Sequence, residues 1–258
     1  MLLHPNCKIN IGLHITGKRA DGYHTLDTLF YPVRGLYDEL EIVPAETFSF
    51  VQEGIAVDCA AEDNLIVRCY RRMQQRYPQI GPVSIRFRKH IPFGAGLGGG
   101  SSDAAHTAIA LNELFGLGLS REQLAAEVTP LGADCAFFIY NVPCHAAGIG
   151  EILTPVTDDY RGQTIVMVKP DIAIPTRDAY AGLDAYADIP RSPRSNDFEA
   201  SVFPLFPRLA DIKQTLLDMG ADYASLSGSG ATVFGIFQTP PETLPAAFND
   251  CFVFQGVL

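Results

Sequence analysis

The chain is short of positive charge. Its 258 residues include 19 lysines and arginines against 29 aspartates and glutamates, which gives a formal net charge of −10. Surfaces that bind nucleic acid or anionic membranes normally carry clustered basic side chains, so neither partner is predicted. With 47% hydrophobic and 19% charged residues, the composition is otherwise that of a folded globular protein and excludes a disordered or fibrous chain.

Other common signals are also missing. The six cysteines form no C-x-x-C pair and several lie in apolar segments, which is typical of buried thiols in a reducing compartment. No H-E-x-x-H motif or ligand-spaced histidine cluster is present, so no structural metal site is predicted. The first five residues lack the basic and apolar regions of a signal peptide. The longest uncharged stretch, residues 224–241, is too polar to span a membrane, and we expect a cytoplasmic protein.

The predicted elements indicate an α+β protein. Strands are predicted at residues 7–15, 39–43, 47–51, 83–87, 164–168, 231–237 and 251–254. Helices are predicted at 65–77 behind an Asp63 N-cap, from Ser102 and Asp103 to Phe115, from a Ser120 capping box, and at 209–219. Four arginines on the first of these helices are expected on a solvated face. The chain is long enough for two domains, which we place at 1–150 and 151–258.

The strongest chemical signal runs from Pro92 to Asp103, between a predicted strand and a predicted helix. It reads Pro-Phe-Gly-Ala-Gly-Leu-Gly-Gly-Gly-Ser-Ser-Asp. Each glycine costs backbone entropy on folding, so a segment with this many glycines indicates a specific use for them. The use that we infer is close approach of a ligand to a backbone without side chains. Backbone N–H groups at a helix N-terminus bind anions such as a triphosphate. The segment therefore predicts a phosphate-binding loop, with a flexible turn as the alternative.

Two familiar phosphate loops do not fit this segment. The spacing of Gly94, Gly96 and Gly99 matches the dinucleotide fingerprint, but that motif needs a following strand that ends in an acidic residue, and here another helix follows. A P-loop needs Lys-Ser or Lys-Thr after the glycines, whereas Gly100 leads directly to Ser101. The protein-kinase signature set is absent as well.

The segment resembles the ATP loop of the GHMP kinases, the superfamily of galactokinase, homoserine kinase and mevalonate kinase. Further segments narrow the resemblance to members that act on a cytidine diphosphate alcohol; they are residues 8–11, 17–24, 131–134, 148–151 and 228–231. The similarity extends from residue 5 to near Phe237. It departs at Ala95, where relatives often have glycine, and at Ala136, where many have proline, and neither change removes a functional side chain.

The resemblance implies a two-domain GHMP kinase fold: an N-terminal mixed sheet with helices and the ATP loop, then a ferredoxin-like α+β domain. It implies phosphorylation of the 2-hydroxyl of a cytidine diphosphate-linked methylerythritol by ATP with Mg²⁺, in the non-mevalonate isoprenoid pathway. A monomer or weak homodimer is expected. The residues that it assigns to the nucleotide are Asn64, Lys89, Pro92, Gly94, Ala95, Gly96, Leu97, Gly98, Gly99, Gly100, Ser101 and Ser102. Ligands of Mg²⁺ stay unassigned, with Ser101, Ser102 and Asp103 as candidates.

Lys8 and Asp134 are the predicted catalytic residues. Lys8 and Asn10 lie two apart on a strand, so their side chains share a face, with Cα atoms about 6.5 Å apart, and can meet one ligand. Asp134 adjoins an apolar segment, where a carboxylate is costly unless paired, and a nearby ammonium such as Lys8 would keep it ionised. The resemblance makes Asp134 the base and Lys8 the charge stabiliser. A solvated lysine and a turn aspartate are the alternatives.

Aromatic residues mark a predicted base-binding site. Tyr23 and His24 follow a turn, and aromatic planes there suit a pyrimidine. The resemblance places cytosine against them, with Tyr180 stacking on its other side and Thr176 nearby. From the residues alone, packing of a hairpin by the aromatic pair is an equal alternative.

A second small-residue loop lies at residues 227–232. In the GHMP kinases the matching loop, here with Gly228, Ser229 and Gly230, closes over the substrate phosphates. A hairpin or bulge loop is the alternative.

Two other functions remain open at this point. One is a GHMP kinase for another alcohol, such as homoserine or a mevalonate derivative, and the other is a non-catalytic sugar or nucleotide sensor with this fold. Tyr23, His24 and Tyr180 argue against the first, because those substrates carry no base to stack on them. The presence of both Lys8 and Asp134 argues against the second.

Overall fold

The computed structural model describes residues 1–57, 59–183 and 192–258. They divide into two compact units, each discontinuous in sequence. The first consists of Met1–Cys7, Leu36–Phe93 and Gly98–Val142, and the second of Lys8–Gly35, Gly94–Leu97 and Pro143–Leu258. A domain boundary near residue 150 stays a prediction.

The strands are β1 (Leu2–Leu3), β2 (Asn6–Lys18), β3 (His24–Tyr37), β4 (Glu39–Pro44), β5 (Ser49–Gly54), β6 (Val83–Lys89), β7 (Cys144–Ala147), β8 (Ile152–Pro155), β9 (Thr164–Lys169), β10 (Tyr223–Leu226), β11 (Val233–Phe237) and β12 (Phe252–Val257). The helices are α1 (Leu65–Arg76), α2 (Gly99–Leu114), α3 (Arg121–Val128), α4 (Cys135–Tyr140), α5 (Thr176–Ala181), α6 (Phe198–Val202) and α7 (Pro207–Asp218). In the described residues no helix is both long and apolar enough to cross a membrane.

The first unit is built on a mixed sheet. Its strand order is β1-β4-β6-β5, with β5 parallel to β6 and the other pairs antiparallel. Alternation in β6 buries Val83, Ile85 and Phe87 on one face, as a half-buried strand requires. Helix α2 contacts β4 and also packs on α1, α3 and α4. The N-terminal mixed sheet with helices expected for the fold is therefore present.

The second unit contains two sheets. One has the order β2-β3-β7-β8, and the other is antiparallel with the order β10-β11-β9-β12. Helix α7 packs on β10 and β11, and its Leu209, Ile212 and Leu216 join the core of this unit. The first and third strands of this sheet along the chain, β9 and β11, are its two central strands, as expected for a ferredoxin-like domain. Between β11 and β12 the structure has a 3₁₀ turn at Ala246–Phe248 where a second crossover helix would stand.

Several predicted boundaries are wrong. Asn64, not Asp63, caps α1, because its Oδ1 accepts the backbone N–H of Ile66 at 3.0 Å. Helix α2 begins three residues before the predicted Ser102 cap, at Gly99 behind Gly98. The Ser120 and Gln123 capping box of α3 is confirmed.

The arginine face of α1 is not simply solvated. Arg76 Nε lies 2.8 Å from a carboxylate oxygen of Glu127, and Arg72 Nε donates to the Glu127 backbone carbonyl at 2.9 Å. The Glu127 side chain itself is buried. Two of the four arginines therefore fasten α1 to α3, which charge spacing alone does not reveal.

Candidate active site

The C-terminal half of the glycine-rich segment forms a helix N-terminus. Gly98 has φ +68°, a conformation that favours glycine, and its carbonyl accepts the N–H of Ser102 at 2.9 Å. Helix α2 starts at the next residue, so the N–H groups of Gly99, Gly100 and Ser101 belong to a first turn without intrahelical acceptors. Such a turn binds anions through its N–H groups and dipole. Ser102 itself is fully buried.

The other half of the segment belongs to the second unit and packs there on residues 227–232, which comprise the 227–230 loop and the two residues after it. The Ser227 hydroxyl donates to the Gly96 carbonyl at 2.9 Å, and the Thr232 N–H donates to the Ala95 carbonyl at 3.2 Å. A Cβ on Gly96 would lie 2.0 Å from the Ser227 carbonyl oxygen, whereas Gly94 faces open space. Glycine at position 96 is thus needed for contact within the protein, not only for a ligand.

The remaining loop residues differ in exposure. Ala95 and Leu97 are buried, so only their backbone can face a ligand. Pro92 is half-buried and Gly94 is exposed.

Lys8 and Asn10 share one face of β2, as predicted. The Lys8 ammonium donates to Asn10 Oδ1 at 2.5 Å, and Asn10 Nδ2 donates to Thr28 Oγ1 at 3.1 Å. Lys8 Nζ also lies 5.0 Å from the centroid of the Phe30 ring. Both polar side chains are buried, and so are the apolar residues of the opposite face, so the expected half-buried strand is buried on both faces at this end.

Asp134 lies in the first unit, directly before α4. Its side chain makes no cap bond to that helix, and the next residue, Cys135, is buried. A Cβ on Gly132 would lie 3.3 Å from Cys135 Sγ and 3.4 Å from Ser101 Oγ, so this turn adjoins the start of α2. The catalytic pairing of Asp134 with Lys8 stays a prediction.

Lys89 is held inside the first unit by two carboxylates. Its ammonium donates to Asp38 Oδ2 and, at 3.0 Å, to Asp103 Oδ2, and all three side chains are buried. Burial lowers the pKa of Lys89, but Asp103 and Asp38 more than offset this and raise it. Asp38 Oδ1 accepts the N–H groups of His90 and Ile91 at 2.6 and 2.8 Å. These bonds fix the backbone directly before the glycine-rich segment, which supports a structural role for Lys89. Contact of Lys89 with the nucleotide stays a prediction.

Both the oxygen and the nitrogen of the Asn64 amide form hydrogen bonds within the protein. Oδ1 caps α1, and Nδ2 donates to Gln52 Oε1 at 3.3 Å. A base contact by Asn64 therefore has to use its remaining N–H, its backbone, or a rearranged side chain.

The predicted base-binding residues cluster in the second unit. The rings of His24 and Tyr180 are stacked directly on each other, with centroids 4.6 Å apart and planes 16° from parallel, so the base expected between them has no room there in this structure. Tyr180, on α5, also meets Phe198 edge-on at 4.9 Å. Tyr23 is 61% exposed, so its ring is available to a ligand. Thr176 is the first residue of α5, and its side chain lies outside the described part of the structure.

The described side chains do not form a metal cage. Among residues 1–57, 59–183 and 192–258, no group of three or more His, Cys, Asp or Glu side chains could hold a metal ion. Asp103, one of the candidate Mg²⁺ ligands, already binds the Lys89 ammonium. Mg²⁺ commonly binds enzymes through substrate phosphates and retained waters. Its participation here stays a prediction.

Comparison with known proteins shows the family of this chain. The family model for the GHMP kinases N terminal domain matches residues 64–142, and that for the GHMP kinases C terminal domain matches residues 185–252. A 4-diphosphocytidyl-2-C-methyl-D-erythritol kinase from Bacteroides fragilis is 45% identical over 275 aligned positions that cover all of both chains. The chain belongs to the 4-diphosphocytidyl-2-C-methyl-D-erythritol kinase family of GHMP kinases. It is therefore an ATP-dependent small-molecule kinase.

Solved structures support the fold of this kinase family. The crystal structure of a 4-(cytidine 5'-diphospho)-2C-methyl-D-erythritol kinase is similar with a TM-score of 0.79 and 32% identity, covering 93% of this chain and 91% of that one. A homoserine kinase from Cytophaga hutchinsonii has a TM-score of 0.71 at 16% identity, covering 98% and 94% of the two chains. The second likeness shows the fold alone.

Proposed function

We propose that this kinase transfers the γ-phosphoryl group of ATP to the 2-hydroxyl of 4-diphosphocytidyl-2-C-methyl-D-erythritol, a step of the non-mevalonate isoprenoid pathway. The observation that carries the proposal is the full-length similarity to the Bacteroides fragilis kinase of that name. The exposed ring of Tyr23, next to His24 in sequence, adds support, because it offers an aromatic surface to a substrate with a base. Homoserine and mevalonate have no such group.

In this proposal Asp134 acts as the general base. Its carboxylate takes the proton of the substrate 2-hydroxyl while that oxygen bonds to the γ-phosphorus and the bond to the β-phosphate oxygen breaks, which releases ADP. The turn before Asp134 adjoins the first turn of α2 through Gly132, which supports this role, since that first turn is the predicted phosphate site. The same carboxylate also orients the hydroxyl for attack.

Lys8 stabilises the developing negative charge in this proposal. Its ammonium is buried and already oriented by Asn10, so little reorganisation is needed at the moment of transfer. A buried cation acts more strongly than one in water, because the surrounding dielectric constant is lower.

The phosphate chain of ATP is assigned to the N-terminus of α2 and the preceding glycines. The N–H groups of Gly99, Gly100 and Ser101 supply donors, and Mg²⁺ enters with the nucleotide to neutralise phosphate charge. For the alcohol, Tyr23, His24 and Tyr180 hold cytosine, with the rings of His24 and Tyr180 moving apart to admit it, and the 228–230 backbone binds its diphosphate. A cytoplasmic location and a monomer or weak homodimer remain predictions.

A substrate comparison tests the proposal. ADP release is measured with 4-diphosphocytidyl-2-C-methyl-D-erythritol, homoserine and mevalonate at saturating ATP. We expect kcat/KM for the cytidine diphosphate alcohol to exceed the other two by at least about 10³-fold, since polar and stacking contacts to the base are lost with them. Comparable values for all three, or a preference for homoserine or mevalonate, would reject it.

A further inference from the structure

Asn196 is a buried residue whose amide joins two backbone carbonyls of another segment. Its Nδ2 donates to the carbonyls of Leu226 and Gly228, both at 2.8 Å, and its Oδ1 accepts the N–H of Phe198 at 2.9 Å. The side chain is 3% exposed. The Asn196 amide thus binds the backbone on both sides of Ser227, the first residue of the 227–230 loop.

The backbone around Asn196 is itself fixed to β2. Leu13 donates its N–H to the Ser195 carbonyl at 2.9 Å and accepts the N–H of Asp197 at 2.8 Å. This is the strand that carries Lys8 and Asn10. Asn196 therefore links the 227–230 loop to the strand that holds two predicted site residues.

The hydrogen bonds of the loop set the direction of two N–H groups. The carbonyl and N–H of a trans peptide point in opposite directions. The Gly228 carbonyl is held by Asn196, so the Ser229 N–H points away from Asn196. The Ser227 carbonyl accepts the N–H of Gly230 at 3.0 Å, which likewise turns the Gly228 N–H outward.

These two successive N–H groups have no acceptor among the hydrogen bonds of the described residues. Both residues are only half-buried, so a ligand can reach them. A Cβ at position 228 would lie 3.6 Å from Asn10 Oδ1, which puts the loop beside a predicted substrate residue. Successive backbone N–H groups form a concave anion site.

We infer that Asn196 is a positioning residue that orients the Gly228 and Ser229 N–H groups toward the diphosphate of the nucleotide-linked alcohol. The inference rests on the proposed function. Asn196 does not touch the substrate; it fixes the peptide planes before binding, so that binding does not have to order the loop. A loop without this amide keeps the same donors but presents them in many orientations.

The test compares two probes, cytidine 5'-diphosphate and cytidine, by calorimetric titration of the full-length protein. Asn196→Asp preserves size and the acceptor for Phe198, but replaces the donor with an oxygen that faces two carbonyls. We expect affinity for cytidine 5'-diphosphate to fall by about 10-fold or more, as for loss of hydrogen bonds to a charged group, while affinity for cytidine changes less than about 2-fold.

Ser201→Ala is the matched control. Ser201 is buried on α6 and donates to the Ala179 and Phe198 carbonyls at 3.0 and 3.1 Å, away from the loop. A merely structural role for Asn196 predicts that both variants weaken the two probes equally or not at all, and that result overturns the inference. Failure of the wild type to bind either probe instead counts against the proposed cytidine site.

A second pair of variants covers the case in which Asn196→Asp does not fold. Ser229→Pro removes one of the two N–H donors, and Ser229→Ala keeps it while removing the hydroxyl. The inference expects cytidine 5'-diphosphate to bind at least about 5-fold more weakly to the proline variant than to the alanine variant, with equal cytidine affinity. Equal affinity of both variants for the diphosphate contradicts it.

Discussion

The Lys8 ammonium donates a 2.5 Å hydrogen bond to Oδ1 of Asn10, two residues further along the same strand. Asn10 is neutral, so it orients the ammonium without cancelling its charge. The Thr28 hydroxyl fixes Asn10 in turn, because it accepts from Asn10 Nδ2 and donates to the Gly12 carbonyl. A buried cation held in this way is suited to stabilise charge that appears only during the reaction.

Lys8→Met tests this function of the ammonium. We expect kcat to fall by about 10²–10³-fold, the usual loss for one group that stabilises a charged transition state, while KM for ATP stays within about 3-fold. Steady-state kinetics with the cytidine diphosphate alcohol measure both. Lys18→Met, at the exposed end of the same strand, is the control and should be unaffected. Near-normal turnover of Lys8→Met makes Lys8 structural.

Asp134→Asn keeps the size of the side chain and removes its ability to accept a proton. We expect kcat to fall by about 10²–10⁴-fold with little change in ATP affinity, because the base acts on the hydroxyl and not on the nucleotide. Asp159→Asn, at an exposed position, serves as the control. A variant that retains turnover shows that Asp134 shapes the turn and is not the base.

Two glycines of the glycine-rich segment, Gly94 and Gly96, should differ in the stability that they lose on substitution. Gly94 and Gly96 both have positive φ, but only at Gly96 would a Cβ collide with a backbone carbonyl, at 2.0 Å. We expect Gly94→Ala to cost about 1–2 kcal/mol of unfolding free energy and Gly96→Ala clearly more. Urea unfolding followed by circular dichroism measures the difference. Equal costs would mean that the loop does not pack closely on the Ser227 backbone.

The buried carboxyl of Asp103 should make the free energy of unfolding depend on pH. Burial raises the pKa of its carboxyl well above the usual value, although the Lys89 ammonium acts in the opposite direction. The folded state then binds this proton more tightly than the unfolded state, so the carboxyl costs stability as pH rises from about 4 through the folded pKa. We expect the unfolding free energy of Asp103→Asn, relative to wild type, to increase between pH 4.5 and pH 8.

Asp21→Asn is the control for that pH series. The hydrogen bond from Arg19 lowers the pKa of the exposed Asp21 carboxyl, so the linkage has the opposite sign. Its relative stability should not increase with pH. If Asp103→Asn behaves like Asp21→Asn, the Lys89 ammonium outweighs burial and the pKa of Asp103 is not raised by folding.

Tyr180→Ala tests the cytosine site. We expect kcat/KM for the cytidine diphosphate alcohol to fall by an amount equivalent to about 1–3 kcal/mol, the usual value for base stacking, with KM for ATP nearly constant. Tyr180→Phe keeps the ring and should keep most of the activity. An alcohol without cytidine should be a poor substrate already and should become little worse. Equal losses for both alcohols would assign Tyr180 to packing against Phe198.

Sequence alone predicted those elements that have strong local patterns. The strand through Lys8, the helix behind the glycines and the Ser120 capping box all depend on short-range spacing, and the structure contains them. The sequence does not predict strand β3, because Pro32 and Gly35 interrupt its alternation of apolar and polar residues. From the sequence α4 is only an apolar segment, because six residues are too few to show a helical period.

The candidate site shows the same limit. Spacing placed Lys8 next to Asn10, but it did not reveal that Asp38 and Asp103 bind Lys89 across 51 and 14 residues of sequence. Nor did any local signal mark Asn196, whose partners lie about 30 residues away. Long-range polar contacts of this kind depend on the assembled fold, and one sequence carries no pattern for them.

Identification of the product tests the proposed reaction most directly. Purified protein is incubated with Mg-ATP and 4-diphosphocytidyl-2-C-methyl-D-erythritol, and the mixture is followed by ³¹P NMR with proton coupling. We expect one new phosphomonoester on the 2-oxygen, formed in equal amount with ADP, while the diphosphate of the substrate stays intact. Phosphate on another hydroxyl, or ADP released without any new phosphomonoester, would contradict it.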